Sequence, residues 1–278
     1  ADDILQPEEA AKLRRLKETL DPDVDAVMMR YHTGFDQQGR VVFSYYRERL
    51  TRRACGFRWQ EPVHEYLAVS GKIINADISI THAKAQPRQG VKNLEIYEKL
   101  TASGQPLSPR ATYYFARELK DHQRLAEAAV LFSRFLDEDR GWLEDNITAC
   151  GELAKCYQAL GDGAKALSSL FRSFTYDAPR AELCCQIGYH FKSLGKYQQA
   201  AFWFDLVLKL ERPKNGWGFQ QDDCWGYIPC LECAVCFDKL GEYEKAARYN
   251  ELAALYHADS QAVAYNREYF AKRKKDAY

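Results

Sequence analysis

Three groups of side chains in this 278-residue chain have the types and spacing to do chemistry. Asp2 and Asp3 open it as a carboxylate pair, although two charges at a chain start are as readily a frayed, solvated end as a site. His64 and Glu65 set an imidazole beside a carboxylate in "VHEYL". Ala68 stands where a zinc-protease helix would place its second histidine, so that motif is excluded and the pair alone decides nothing. Cys224, Cys230, Cys233 and Cys236 resemble a metal site at first sight. A CxxCxxC run on one continuous helix, however, spreads its thiols too far around the cylinder to close a tetrahedron, and small thiols pack well between helices. Core packing is the reading preferred for them, with a thiol-rich metal protein as the competing one. There is no Walker loop, GxGxxG or GxSxG, so nothing points to nucleotide hydrolysis, dinucleotide binding or a serine hydrolase.

The bulk composition narrows the classes. Apolar residues make up 46%, as in a well-buried globular protein. Lys plus Arg and Asp plus Glu are both 39, so no net field draws the chain to nucleic acid or to an acidic bilayer. The longest apolar run, "AAFWFDLVLKL", is short and broken by charge, and no membrane span is expected. Nine cysteines, an odd number lying mostly in helical patterns, suit buried thiols in a reducing compartment, and a cytoplasmic location is expected.

Two unlike parts must position these residues. In residues 1–88, Pro7 sits where a first helical residue belongs, and Ala10, Leu13, Leu16, Lys17 and Leu20 follow at helical spacing. Strand-type runs come next: "DAVMMRYHTGF", a turn at Gly39, "RVVFSYYRERLTRR" and "KIINADISITH". In the last of these, Ile74, Ala76, Ile78, Ile80 and His82 alternate onto one face, so His82 ends a buried strand face. The polar stretch "AKAQPRQG" then marks a domain boundary.

Residues 89–278 repeat. "YQALGDGAKALSSL" and "FKSLGKYQQAAFWF" align Gly161 with Gly195 and Ala166 with Ala200 at 34 residues, the tetratricopeptide period. "FDKLGEYEKAARYN" adds a copy with Gly241 and Ala246 after a 12-residue insertion, and "RELKDHQRLAEAAVLF" is a degenerate earlier copy with Ala128. Each Gly is expected to close helix A of a pair in the left-handed region, and each Ala to let helix B approach. Pro179 and Pro213 turn the chain into the next pair, and "QAVAYNREYFAKRKK" forms the polar cap of an all-α solenoid. The insertion carries Trp217, Phe219, Trp225 and Tyr227, which either line a recognition surface or plug the gap it makes.

Taken in order, "ADDIL", a helix, a hairpin with "RERLTRR", "FRWQEPVHEYL", "ISITHAKA" and then tetratricopeptide helices resemble a family 2 glycosyltransferase with a tetratricopeptide tail. The resemblance implies an α+β portion, the C-terminal part of a GT-A-like α/β catalytic domain over 1–88, with its nucleotide-binding half lying upstream of Ala1. Two departures from the family pattern are Asp3 where a glutamate is usual and Pro62 where a glycine is usual. It further implies a nucleotide-sugar donor, a protein, peptide or glycan acceptor, and Mg²⁺ or Mn²⁺ held by Asp2 with Asp3 and His82 against the leaving diphosphate. Glu65 would then be the base and His64 would orient the acceptor. The repeats become the arm for the acceptor or partner, with a peptide in their groove. The rival expectation is a non-enzymatic tetratricopeptide scaffold for a peptide or protein partner. A structure that separates Asp2, Glu65 and His82 favours the scaffold.

Overall fold

The structure, a computed structural model, describes residues 3–36, 38–83, 91–213, 218 and 220–276. Asp2, the "AKAQPRQG" stretch after Ala83, Trp217 and Phe219 lie outside the described residues. The chain divides into two compact units, Ala1–Cys156 with Lys214–Gln220, and Tyr157–Pro213 with Gln221–Tyr278.

The first unit begins with a sheet. Strand β1 (Asp3–Ile4) leads into helix α1 (Pro7–Thr19), then β2 (Ala26–Phe35), β3 (Val41–Thr51), the short pair β4 (Trp59–Gln60) and β5 (Tyr66–Leu67), and β6 (Ile73–His82). The sheet order is β1-β6-β2-β3-β7, the last being a two-residue strand at Gln220–Gln221. β2 and β3 form an antiparallel hairpin whose turn uses Gly39 at φ 80°, and β1 pairs antiparallel with β6. Only β2 and β6 run parallel, with Val27 opposite Ile74. The strand alternation read from "KIINADISITH" holds: Ile74, Ala76, Ile78 and Ile80 pack with Val27, Met29 and, from α1, Leu13, Leu16 and Leu20. The GT-A-like expectation is corrected here. The α+β character holds, but the strands build a mixed sheet joined by a hairpin and a parallel crossover rather than a GT-A fold.

Eleven α-helices are described in all, and from α2 (Val91–Ala102) onward the chain is mostly helical. In the first unit α3 (Pro109–Asp121) and α4 (Leu125–Glu138) form a helical hairpin, with α5 (Leu143–Ala159) next along the chain; after α6 (Gly163–Arg172), the second unit holds the hairpins of α7 (Ala181–Ser193) with α8 (Tyr197–Val207) and α9 (Tyr227–Lys239) with α10 (Tyr243–Tyr256). Helix α11 (Gln261–Asp276) ends the series. The turn glycines behave as their spacing predicts. Gly161, Gly195 and Gly241 have φ of 82°, 69° and 79°, and a Cβ on any of them would meet nothing within 4 Å, so the requirement is conformational rather than spatial. In the degenerate copy Gln123 holds the same place and takes φ 62°. A side chain in the left-handed region costs about 1 kcal/mol more than glycine.

The small alanines Ala128, Ala166, Ala200 and Ala246 are all buried. Counted back from each, one helix-A position reads Thr112, Cys150, Cys184 and Cys230, every one buried. Another pairs Cys156 with Cys236, also buried. The thiols therefore recur because one packing site recurs. Burial pushes Cys184 up to about 12 and Cys230 and Cys236 up to about 11, which keeps them neutral as packed thiols. No helix among the described residues is long and apolar enough to cross a membrane.

Candidate functional site

The residues singled out in the sheet portion fall into two clusters. In the first, the pairing of β1 with β6 puts Asp3 directly opposite His82. Asp3 Oδ1 lies 3.2 Å from His82 Nδ1. Two residues with no sequence signal complete the group. The Tyr31 hydroxyl donates to Asp3 Oδ1 at 2.6 Å and lies 2.8 Å from His82 Nδ1. Arg49 Nη1 donates to Asp3 Oδ2 at 3.1 Å and its guanidinium sits 4.5 Å over the Tyr31 ring. Partial burial works against the Asp3 carboxylate, but hydrogen bonds from Tyr31, His82 and Arg49 outweigh it and hold its pKa below the ordinary value. The same carboxylate and burial push the Tyr31 phenol up.

Of the residues expected to hold Mg²⁺ or Mn²⁺, Asp3 and His82 are described, and both are already bonded to Tyr31. The one described carboxylate is already neutralised by a fixed guanidinium, which would repel a second cation at the same oxygens. Among the described residues no three His, Cys, Asp or Glu side chains converge as a ligand set.

The second cluster draws His64 and Glu65 apart. His64, at φ 55°, projects its ring onto helix α3, where Nε2 lies 2.8 Å from Glu118 Oε1 and the ring stacks on Tyr114 at 4.3 Å. Asn93 of α2 donates to the same Glu118 oxygen at 3.1 Å. Glu118 is largely buried, which works against its charge, and the His64 and Asn93 bonds overcome this to lower its pKa. Arg110 of α3 lies 4.3 Å over Tyr66 and 4.6 Å over Tyr114, and 3.7 Å from Asp145 of α5. Just before α3, Ser108 donates to Glu61 at 2.5 Å. The "EPVHEY" stretch is thus a seam that fastens the strand portion to α2 and α3. Glu65 is exposed, and what it contributes is its backbone carbonyl, which accepts from Arg47 at 3.4 Å. Asp3 and His82 come together as the sequence suggests, whereas His64 is spent on Glu118 and Glu65 faces outward.

The helix-A faces hold a third arrangement, which sequence reading missed although the repeat register contained it. Lys120 and Lys192 stand eight residues before Ala128 and Ala200, and Glu152 and Glu232 stand fourteen before Ala166 and Ala246. Lys120 pairs with Glu152, and Lys192 pairs with Glu232. A second rung repeats likewise: Arg110 reaches Asp145, and at the equivalent places Trp225 Nε1 donates to Glu182 at 3.0 Å. Trp225 and Tyr227 of the insertion are therefore packed, since the Tyr227 hydroxyl also lies 2.7 Å from Ser260 Oγ. Near these rungs Tyr189 on α7 is 38% exposed, with Lys192 Nζ 5.8 Å from its ring centroid.

No family model matches the chain, and no curated protein matches it. Solved structures do. The apo form of RapI superposes with a TM-score of 0.53 at 14% identity, over 66% of this chain and 54% of that one. A tetratricopeptide repeat protein from Parabacteroides merdae gives 0.46 at 15% identity, over 65% of this chain and 71% of that one. MamA gives 0.46 at 14%, over 64% and 89%. At such identities the RapI likeness speaks for fold alone. The tetratricopeptide-type reading of the helical part stands on its own 34-residue register and left-handed turn residues. The glycosyltransferase expectation is corrected here: no family model of that kind matches, the fold likeness that carries weight is to RapI, and the nucleotide-sugar donor has no support.

Proposed function

We propose that the chain is a non-enzymatic tetratricopeptide scaffold that binds a peptide or protein partner along its helix-A faces. The observation supporting this reading most strongly is the recurrence of one charged pair at matched helix-A positions two repeats apart, Lys120 with Glu152 and Lys192 with Glu232. A surface that repeats its polar groups along a stack offers a ligand regularly spaced contacts, which suits an extended or helical segment. Paired charges hold that surface in place without a net field, and an exposed ring such as Tyr189 gives contact area at little entropic cost.

The test is peptide selection on the purified chain, followed by affinity measurement on substituted forms. Tyr189→Ala and Lys192→Glu should weaken the selected peptides at least about tenfold, or about 1.4 kcal/mol. Phe202→Ala, at a 62% exposed position on the B helix α8, should not. Affinities indifferent to both helix-A changes would refute the assignment.

A further inference from the structure

The repeat register explains most of the nine cysteines but not all of them. Cys150, Cys184 and Cys230 share one packed helix-A position, Cys156 and Cys236 another, and Cys233 stands where Phe115, Leu153 and Ile187 stand, all buried. Cys185 is different. Its equivalents are Tyr113, Gly151 and Leu231, side chains of unlike size, so no packing rule asks for a thiol there. Cys224 lies in the insertion and has no counterpart in the other copies. Both are buried in the second unit and belong to one core cluster.

These two thiols meet each other. Cys185 Sγ lies 3.8 Å from the Cys224 carbonyl oxygen, and the two side chains are in hydrogen-bond contact. That contact and burial push the Cys185 thiol well above its ordinary value, so the seated pair is neutral and does not react. Contact of this kind is what a bridge needs, because cysteines whose side chains point apart cannot be joined without moving the backbone.

Cys224 sits in the short turn Asp222–Trp225 of the insertion. The turn is seated on α7 through Glu182, which accepts from the Gln221 backbone amide and from Trp225 Nε1, each at 3.0 Å. Asp222 accepts from Arg212 at 2.8 Å, and Asp223 Oδ1 lies 2.7 Å from Nε2 of His257, just after α10. A turn of 4 residues held at its rim opens at lower free-energy cost than the helices it covers, and opening exposes both sulfurs together.

We propose that Cys185 and Cys224 form a redox-sensitive latch, joined through glutathione disulfide when the turn lifts and locking the insertion onto α7 when it settles. In the first exchange the Cys224 thiolate attacks one sulfur of glutathione disulfide, forming a mixed disulfide and releasing a glutathione thiolate. The Cys185 thiolate then attacks the Cys224 sulfur, forming the protein bridge and releasing the second glutathione thiolate. The protons lost by the two cysteines go to the two glutathione thiolates, so one disulfide is reduced for each one formed. An excess of reduced glutathione runs the exchange backward. The latch needs no peptide and is independent of the helix-A proposal.

The experiment incubates the full chain with glutathione disulfide, blocks the remaining thiols and maps the cysteines by tandem mass spectrometry of an unreduced digest. A Cys185–Cys224 bridge should form in most of the chain, raise the melting temperature by about 5 °C or more, and slow deuterium exchange over residues 221–228 at least about threefold. Dithiothreitol should reverse all of these changes. Cys185→Ala or Cys224→Ala should abolish the bridge, and Cys184→Ala should leave it, which separates the neighbouring thiols. The map of the unsubstituted chain depends on no variant folding, so it decides by itself. Absence of a bridge with adducts confined to the exposed Cys55, a bridge from Cys224 to Cys184 or to any other cysteine, or a bridge that leaves exchange over residues 221–228 unchanged would overturn the proposal.

Discussion

The sheet portion, residues 3–83, and the helical hairpins, residues 109–256, spend their polar side chains in opposite ways. In the sheet portion each contact occurs once. Asp3 needs Tyr31, Arg49 and His82, from three strands brought together by one topology. In the hairpins the same contact is made again two repeats later, as with Lys120 and Glu152 followed by Lys192 and Glu232. In both regions these groups are filled by fixed partners, Asp3 by Tyr31 and Arg49 and Lys120 by Glu152, and the difference is that the hairpin pair recurs. Uniqueness alone does not signal chemistry; what matters is whether the groups have bonding capacity left over.

Substitutions can break or sharpen that contrast. The largest effect is expected at Phe132 and Phe204, which hold the same repeat position and are both fully buried. Phe132→Ala and Phe204→Ala should each cost about 3–5 kcal/mol in urea unfolding, and by similar amounts if the register sets their environments. Losses that differ widely would show the hairpins to be less alike than their backbones.

Next comes pH. Asp145 is pushed up to about 6 by burial, which Arg110 and Arg117 only partly offset. A carboxyl whose folded pKa lies above its unfolded value costs stability as pH rises, beginning near the ordinary carboxylate range and levelling off above about 6. Asp145→Asn should therefore raise stability at pH 7 by about 1–2 kcal/mol and flatten the profile through that window. Glu152 behaves oppositely. Burial opposes its charge, but Lys155 and Lys120 prevail and bring it down to about 2. Its contribution is complete above its ordinary value of 4.5 and is lost as pH falls toward about 2, so Lys120→Met should soften that acid limb.

In the sheet portion, His64→Ala strands the largely buried Glu118 carboxylate and should cost about 1–3 kcal/mol. Tyr31→Phe removes the hydroxyl shared by Asp3 and His82 and should cost about 1 kcal/mol. The smallest change expected is a gain: Gln123→Gly relieves a left-handed φ and should stabilise by about 0.5–1 kcal/mol in thermal or urea denaturation.

Periodicity made most of the fold legible before any coordinates. Leu13, Leu16 and Leu20 at helical spacing, and Ile74 to Ile80 at strand spacing, report which face is buried wherever the elements sit. Gly161, Gly195 and Gly241 mark the hairpin turns because one backbone conformation demands them. Side-chain partnerships across distant elements were not legible. His64 finds Glu118 54 residues on, and His82 meets Asp3 79 residues back, at separations that no local pattern encodes. The family resemblance supplied a metal and an acceptor as partners for these residues in advance; the contacts the fold makes are with Arg49, Tyr31 and Glu118. The helix-A rungs were the reverse case, readable from the register but overlooked because charged pairs on helices are ordinarily surface decoration.

Hydrogen exchange of the full chain with and without a selected peptide tests the central claim most directly. The account predicts slowed exchange along α7 and α9, around Tyr189, Lys192 and Glu232, with the Asp3 and His82 strands unchanged. Protection confined to those strands, with α7 and α9 exchanging as before, would contradict it.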